Sequence, residues 1–118
     1  HNAEGISAAA ESIKKYYPSG GVCVVSGVLS DKDFCAIAKS IGTVAAAAFT
    51  ITPKNPRALS AADYAAVLCQ VGVRAKASGS IKDALTLGME YAKSNGTALF
   101  CLGSLYTYGE VIDEIKSL

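Results

Sequence analysis

Several cations and hydroxyls fall where an apolar run gives way to a helical pattern. They are Ser30-Asp31-Lys32-Asp33, Lys54-Asn55 with Arg57, Ser78 to Ser80, and Ser104 directly after Gly103. Such an inventory suits the holding of an anion, because helix starts offer free N–H groups and a partial positive charge. The parts for bond-making are missing. His1 is the only histidine and lies at the terminus, and neither G-x-x-x-x-G-K-[ST] nor G-x-G-x-x-G occurs. Read alone, the chain is a module that holds an anionic substrate without the means to drive a reaction.

The elements that must carry these residues follow from pattern. Val22-Cys-Val-Val-Ser26 is a short apolar run rich in β-branched residues, as a strand buried on both faces should be, and Gly27 ends it. Ser30-Asp-Lys-Asp33 then has the form of a capping box, with Ser30 as N-cap, which puts Lys32 in the first turn of a helix. A lysine there opposes the helix dipole, so its presence favours a role in binding over a solvated surface position. Before this strand, Ile6, Ala9, Ala10, Ile13 and Tyr17 recur at helical spacing until Pro18-Ser-Gly-Gly21 stops them. After it, Phe34, Ile37, Ala38 and Ile41 share a helical face that ends near Gly42.

Residues 44–52 read as the next strand and residues 53–57 as a loop marked by two prolines. Ser60-Ala-Ala-Asp63 and Ser80-Ile-Lys-Asp83 are further capping boxes. They open helices with Tyr64, Leu68 and Val71, and with Ile81, Ala84, Leu85, Gly88 and Ala92, facing inwards. Residues 73–77 and 97–102 are strands, the latter entered through the turn Asn95-Gly96. A closing helix has Leu105, Tyr108, Val111, Ile112 and Ile115 on one face. The order, one helix and then strand–helix four times, predicts an α/β fold of Rossmann-like type. It has three layers, a mostly parallel sheet with helices on both faces. The first helix has no strand before it, so the expectation is one domain spanning residues 1–118 whose first strand is missing, part of a longer polypeptide.

In such a sheet the strand-to-helix loops, at residues 28–32, 53–59, 78–80 and 103–106, emerge on one edge, where ligands bind. Each suspect also has a plainer reading. Ser30 and Asp33 serve as caps; Arg57 after Pro56 anchors its loop through backbone contacts; Tyr106 and Tyr108 pack or form a rim. Ser104 either caps the last helix or grips a carboxylate.

Totals narrow the classes. With 118 residues, 51% hydrophobic and 18% charged, the chain is globular rather than disordered. A net charge of +1, few aromatics and no Trp leave no case for nucleic acid. No apolar run approaches the roughly 20 residues of a membrane span, so no membrane partner is expected. The four cysteines, Cys23, Cys35, Cys69 and Cys101, show no C-x-x-C, and read as small buried hydrophobes in a reducing cytoplasm. No metal site is expected among them.

His1-Asn-Ala-Glu-Gly5, Gly27-Val-Leu-Ser-Asp-Lys-Asp33, Asn55-Pro-Arg-Ala-Leu59 and Gly103-Ser-Leu-Tyr-Thr-Tyr-Gly-Glu-Val111 occur in this order and at this spacing. The set resembles the C-terminal domain of folylpolyglutamate synthase / dihydrofolate synthase, in the Mur ligase superfamily, over essentially the whole chain. His1-Asn2 match the H-N of that family's D-G-A-H-N-P motif, with Ala3 in place of proline and the motif's strand and Asp absent. A tag origin for His1 loses ground accordingly.

The resemblance implies an ATP-driven amide ligase. A P-loop domain earlier in the same chain would phosphorylate a folate or dihydropteroate carboxylate, with ATP and Mg2+ bound mainly there. The amine of L-glutamate would then attack the acyl phosphate. It further implies that Lys32, Ser104 and Asp31 help to hold the glutamate and that His1 and Asn2 lie beside the nucleotide. Asn55, Arg57 and Tyr106 are additional loop candidates. No catalytic residue is expected here, and the isolated chain should be inactive. The alternatives are the C-terminal domain of a cell-wall Mur ligase and a free-standing, non-catalytic binding module.

Overall fold

The computed structural model describes residues 2–103 and 115–116. Its elements alternate as the patterns predict: α1 (Ala3–Tyr16), β1 (Val22–Gly27), α2 (Phe34–Gly42), β2 (Ala45–Thr50), α3 (Ala61–Gln70), β3 (Arg74–Ala77), α4 (Ile81–Asn95) and β4 (Leu99–Gly103). The strands form one sheet in the order β3-β2-β1-β4, and every pairing is parallel. Strands β2, β3 and β4 differ from their sequence-derived limits by one or two residues at one or both ends. The proposed closing helix falls mainly on residues outside the described ones.

Strand β1 is central and buried at every position. Its side chains alternate between two cores. On one face Val22 and Val24 meet Ile6, Ala10 and Ile13 of α1, Ile37, Ala38 and Ile41 of α2, and Tyr64 and Leu68 of α3. On the other, Val25 packs with Ile51 and with Ala84 and Leu85 of α4. Burying one such aliphatic side chain stabilises the fold by about 1.5–3 kcal/mol, so the three-helix face carries most of the hydrophobic stabilisation. Tyr17 closes α1 and stacks edge-on against Phe100 of β4, with ring centroids 5.9 Å apart.

The cysteine expectation needs correction. Cys23 is buried in β1, but Cys35, Cys69 and Cys101 are exposed. Helical geometry explains two of them. The inward stripe of α2 runs through Phe34, Ile37, Ala38 and Ile41, and that of α3 through Ala61, Tyr64, Ala65 and Leu68, so positions 35 and 69 face outwards. Cys101 lies on β4, at the edge of the described sheet.

From β1 the chain moves outwards through β2 to β3 with α2 and α3 on one face. It then returns across the other face through α4 to place β4 beside β1. The strand order therefore reverses between β1 and β4, and the crevice beyond their C-terminal ends is where such sheets bind ligands.

Candidate functional site

The loops that leave β1 and β2 are joined to each other. Leu29 and Ala58 form an isolated antiparallel bridge, and Leu59 N–H donates to the Val28 carbonyl at 3.0 Å. The Arg57 carbonyl accepts twice from Ser30, from its N–H at 2.6 Å and from its hydroxyl at 2.9 Å. The Arg57 guanidinium reaches Asp31, Nη1 to Oδ2, at 2.7 Å. Arg57 is itself fixed by a turn over Asn55-Pro56-Arg57-Ala58. Ala58 N–H donates to the Asn55 carbonyl at 3.0 Å and Arg57 N–H to Asn55 Oδ1 at 2.8 Å, with proline at the position that favours such a turn.

This arrangement changes the reading of Ser30-Asp-Lys-Asp33. Ser30 is not the N-cap, because its hydroxyl is committed to Arg57 across the loops. Asp33 caps α2 instead, its Oδ1 accepting from Ala36 N–H at 3.2 Å. Lys32 therefore does not lie in the first helical turn. It closes a tight turn, its N–H donating to the Leu29 carbonyl at 3.2 Å. Its side chain is exposed on the sheet's C-terminal edge, with no partner among the described residues. A lysine there precedes the N-cap and is not part of the helix.

Gly27 and Gly103 are paired where β1 and β4 end. At Gly103 φ is +125°, and a Cβ there would collide with the Gly27 carbonyl oxygen. Only glycine lets the two backbones approach so closely beside the crevice.

Below the edge, polar groups bind α3 to the strand ends. Ser26 and Tyr64 share a buried hydrogen bond of 2.7 Å, and the Thr50 hydroxyl donates to the Ala61 carbonyl at 2.7 Å. Thr52 Oγ1 accepts from Ala61 N–H at 2.8 Å. Burial pushes the Tyr64 phenol up to about 12 and the Cys23 thiol up to about 11, so both stay neutral near pH 7. These contacts were missed in the sequence, although a polar residue ending an otherwise apolar strand signals a need for a partner.

The remaining candidates are separated. Asn2 caps α1, its Oδ1 accepting from Gly5 N–H at 2.8 Å, which gives it a structural task at this edge. Asn55 shapes the Arg57 turn, and Lys54 is exposed beside it. Arg57 makes the backbone contacts expected of a loop anchor and adds the ion pair to Asp31. His1, Ser104 and Tyr106 lie outside the described residues. At the far end of the edge a groove of about 310 Å³ runs beside Ser78, Asp83, Leu87 and Glu90, after β3. Among the described residues no group of His, Cys, Asp and Glu could hold a metal ion.

Comparison with known proteins gives a consistent picture. The family model described as Mur ligase, glutamate ligase domain matches residues 1–105. Among solved structures the chain is similar to Mycobacterium tuberculosis folylpolyglutamate synthase complexed with ADP, at 21% identity and a TM-score of 0.82, over 96% of this chain and 28% of that one. It is also similar to the bifunctional folylpolyglutamate synthase/dihydrofolate synthase from Yersinia pestis, complexed with AMPPNP and Mn ion. There the identity is 22% and the TM-score 0.80, over 98% of this chain and 27% of that one. E. coli FolC in complex with DHPP and ADP gives 19% identity and a TM-score of 0.76, over 99% and 27%. The chain thus spans just over a quarter of each of these structures. A search of curated protein sequences finds no match.

Proposed function

This chain belongs to the Mur ligase glutamate ligase domain family, and from that premise we propose that it is the C-terminal domain of a longer ATP-dependent ligase that adds L-glutamate to a folate or dihydropteroate. The observation that carries the reading is the pinned turn at residues 29–32, which holds an exposed lysine on the C-terminal edge of the sheet. Glutamate brings two carboxylates and an amine. Its carboxylates need counter-charge, and its amine must be aimed at an activated carbonyl. Lys32 supplies a point charge and Ser104 a hydroxyl for the carboxylates, and Asp31 stands in the same turn as Lys32. In this reading His1 and Asn2 lie beside the nucleotide.

ATP and Mg2+ belong in this reading to a P-loop domain that precedes this one in the full-length polypeptide. The described residues offer no metal site, and no step of phosphate activation is assigned to them. Their task is orientation: fixing the amine at the right distance and angle supplies much of the advantage of an enzyme over free solution. The isolated chain accordingly does not catalyse. No described helix is long and apolar enough to cross a membrane.

The test uses the full-length protein. Lys32→Ala and Ser104→Ala each raise the KM for L-glutamate about tenfold or more, the loss of one hydrogen bond to a charged group, and leave folate binding unchanged. Unaltered glutamate kinetics in both variants removes the assignment. Reading the gene upstream of the His1 codon tests the domain placement: Asp-Gly-Ala immediately before it and a G-x-x-x-x-G-K-[ST] further back are expected.

A further inference from the structure

The turn that presents Lys32 takes its cross-loop anchors at Ser30 and Asp31 from one residue. Arg57 receives both Ser30 hydrogen bonds on its carbonyl and holds Asp31 with its guanidinium, while its own N–H is fixed by Asn55. Among the described residues, Lys32 itself bonds only its neighbours in the chain, Leu29 and Phe34. The position of its ammonium therefore depends on where Arg57 holds the two preceding residues. We infer that Asp31 and Arg57 are a positioning pair: they set the Lys32 turn for an anionic amino acid and do not touch that substrate themselves. The inference rests on the proposed function, and it gives Asp31 a different part from that of a direct ligand.

Magnitudes separate this role from simple stabilisation. Both partners are solvent-exposed, at 57% for Arg57 and 41% for Asp31. Exposed ion pairs of this kind contribute little to global stability, so removing this one leaves the fold intact. Displacing a binding group by about 1 Å can nevertheless cost as much as a hundredfold in rate or affinity. A positioning pair thus shows in kinetics and hardly at all in unfolding.

The experiment is a double-mutant cycle in the full-length protein, with Asp31→Ala, Arg57→Ala and the double variant, and Lys32→Ala run beside them. Each single substitution is expected to raise the KM for L-glutamate about 3- to 10-fold, with kcat within about twofold, the folate KM unchanged and Tm within about 2 °C. The double variant should be no worse than either single one, because both remove the same device. The exchange Asp31→Arg with Arg57→Asp should recover most of the loss. An effect of Arg57→Ala alone, or losses that multiply in the double variant, would mean direct contact with substrate and overturns the inference. If Lys32→Ala raises KM and the pair variants do not, the inference falls and the proposed function stands. If Lys32→Ala also has no effect, the functional assignment of this edge falls with it.

Discussion

The sheet's C-terminal edge is built differently at its centre and at its β3 end. At the centre, β1 is buried along its whole length, and the loop after it is stitched to the loop after β2 by three hydrogen bonds, two of which make the Leu29–Ala58 bridge, and an ion pair. At the β3 end the strand has four residues, none of them fully buried, and the chain enters α4 after only three more. Order there comes from the local Ser80 cap of α4 and a single hydrogen bond to the neighbouring strand end, Ser78 N–H to the Thr50 carbonyl. Non-local contacts can hold a charged side chain at a chosen place, whereas a local cap fixes only the start of its own helix. The contrast explains why Lys32 at the centre is the candidate for substrate contact.

The contrast can be broken first in the core. Ile37→Ala, beneath the central edge, should cost about 2–5 kcal/mol of stability, while Arg74→Ala in β3 should stay within about 0.5 kcal/mol. Denaturant titration of the two variants measures the difference, and comparable losses would remove the distinction between centre and periphery.

A smaller effect sharpens it. Tyr64→Phe leaves the buried Ser26 hydroxyl without its partner and should cost about 1–3 kcal/mol. The same residue gives a signature in alkali. Its folded-state pKa is raised to about 12 from an ordinary 10.0, and that of Cys23 to about 11 from 9.0. The unfolded chain therefore loses these protons first, and stability falls as pH rises from about 9 to about 12. Tyr64→Phe should flatten the upper part of that fall, as thermal unfolding across this pH range would reveal.

Two serines with the same motif provide the finest comparison. Ser80→Ala removes a true N-cap and should lower stability by about 0.5–2 kcal/mol. Ser30→Ala should cost less, since the Ser30 N–H still bonds the Arg57 carbonyl and Asp33 still caps α2. Equal losses would restore the capping-box reading of Ser30. Thiol labelling reports the surface directly: Cys35 and Cys69 should react with a maleimide in the folded protein, Cys101 more slowly because burial pushes its thiol up, and Cys23 only on unfolding.

Much of this architecture can be read from one sequence because its signals are local. Apolar β-branched runs, helical stripes and the Ser60 and Ser80 capping boxes each depend on a few consecutive residues, and the limits of β1 follow directly from Val22 to Gly27. What the sequence hides is non-local. Ser30-Asp-Lys-Asp33 fits the same capping pattern as the other two, yet Ser30 bonds Arg57 across 27 positions, and no local rule can see that competition. The same holds for Ser26 with Tyr64, separated by 38 positions. Buried cysteines were expected from composition, but helical phase decides which side each thiol faces. The edge's charge inventory was legible; the coupling that arranges it required the folded chain.

The most direct test of the account is L-glutamate-dependent phosphate release by the full-length protein, supplied with ATP, Mg2+ and a folate or dihydropteroate, in parent and Lys32→Ala forms. The account predicts release that requires L-glutamate, with a KM for it about tenfold higher or more in the variant. Release that ignores L-glutamate, or saturates at the same glutamate concentration in both forms, would contradict it.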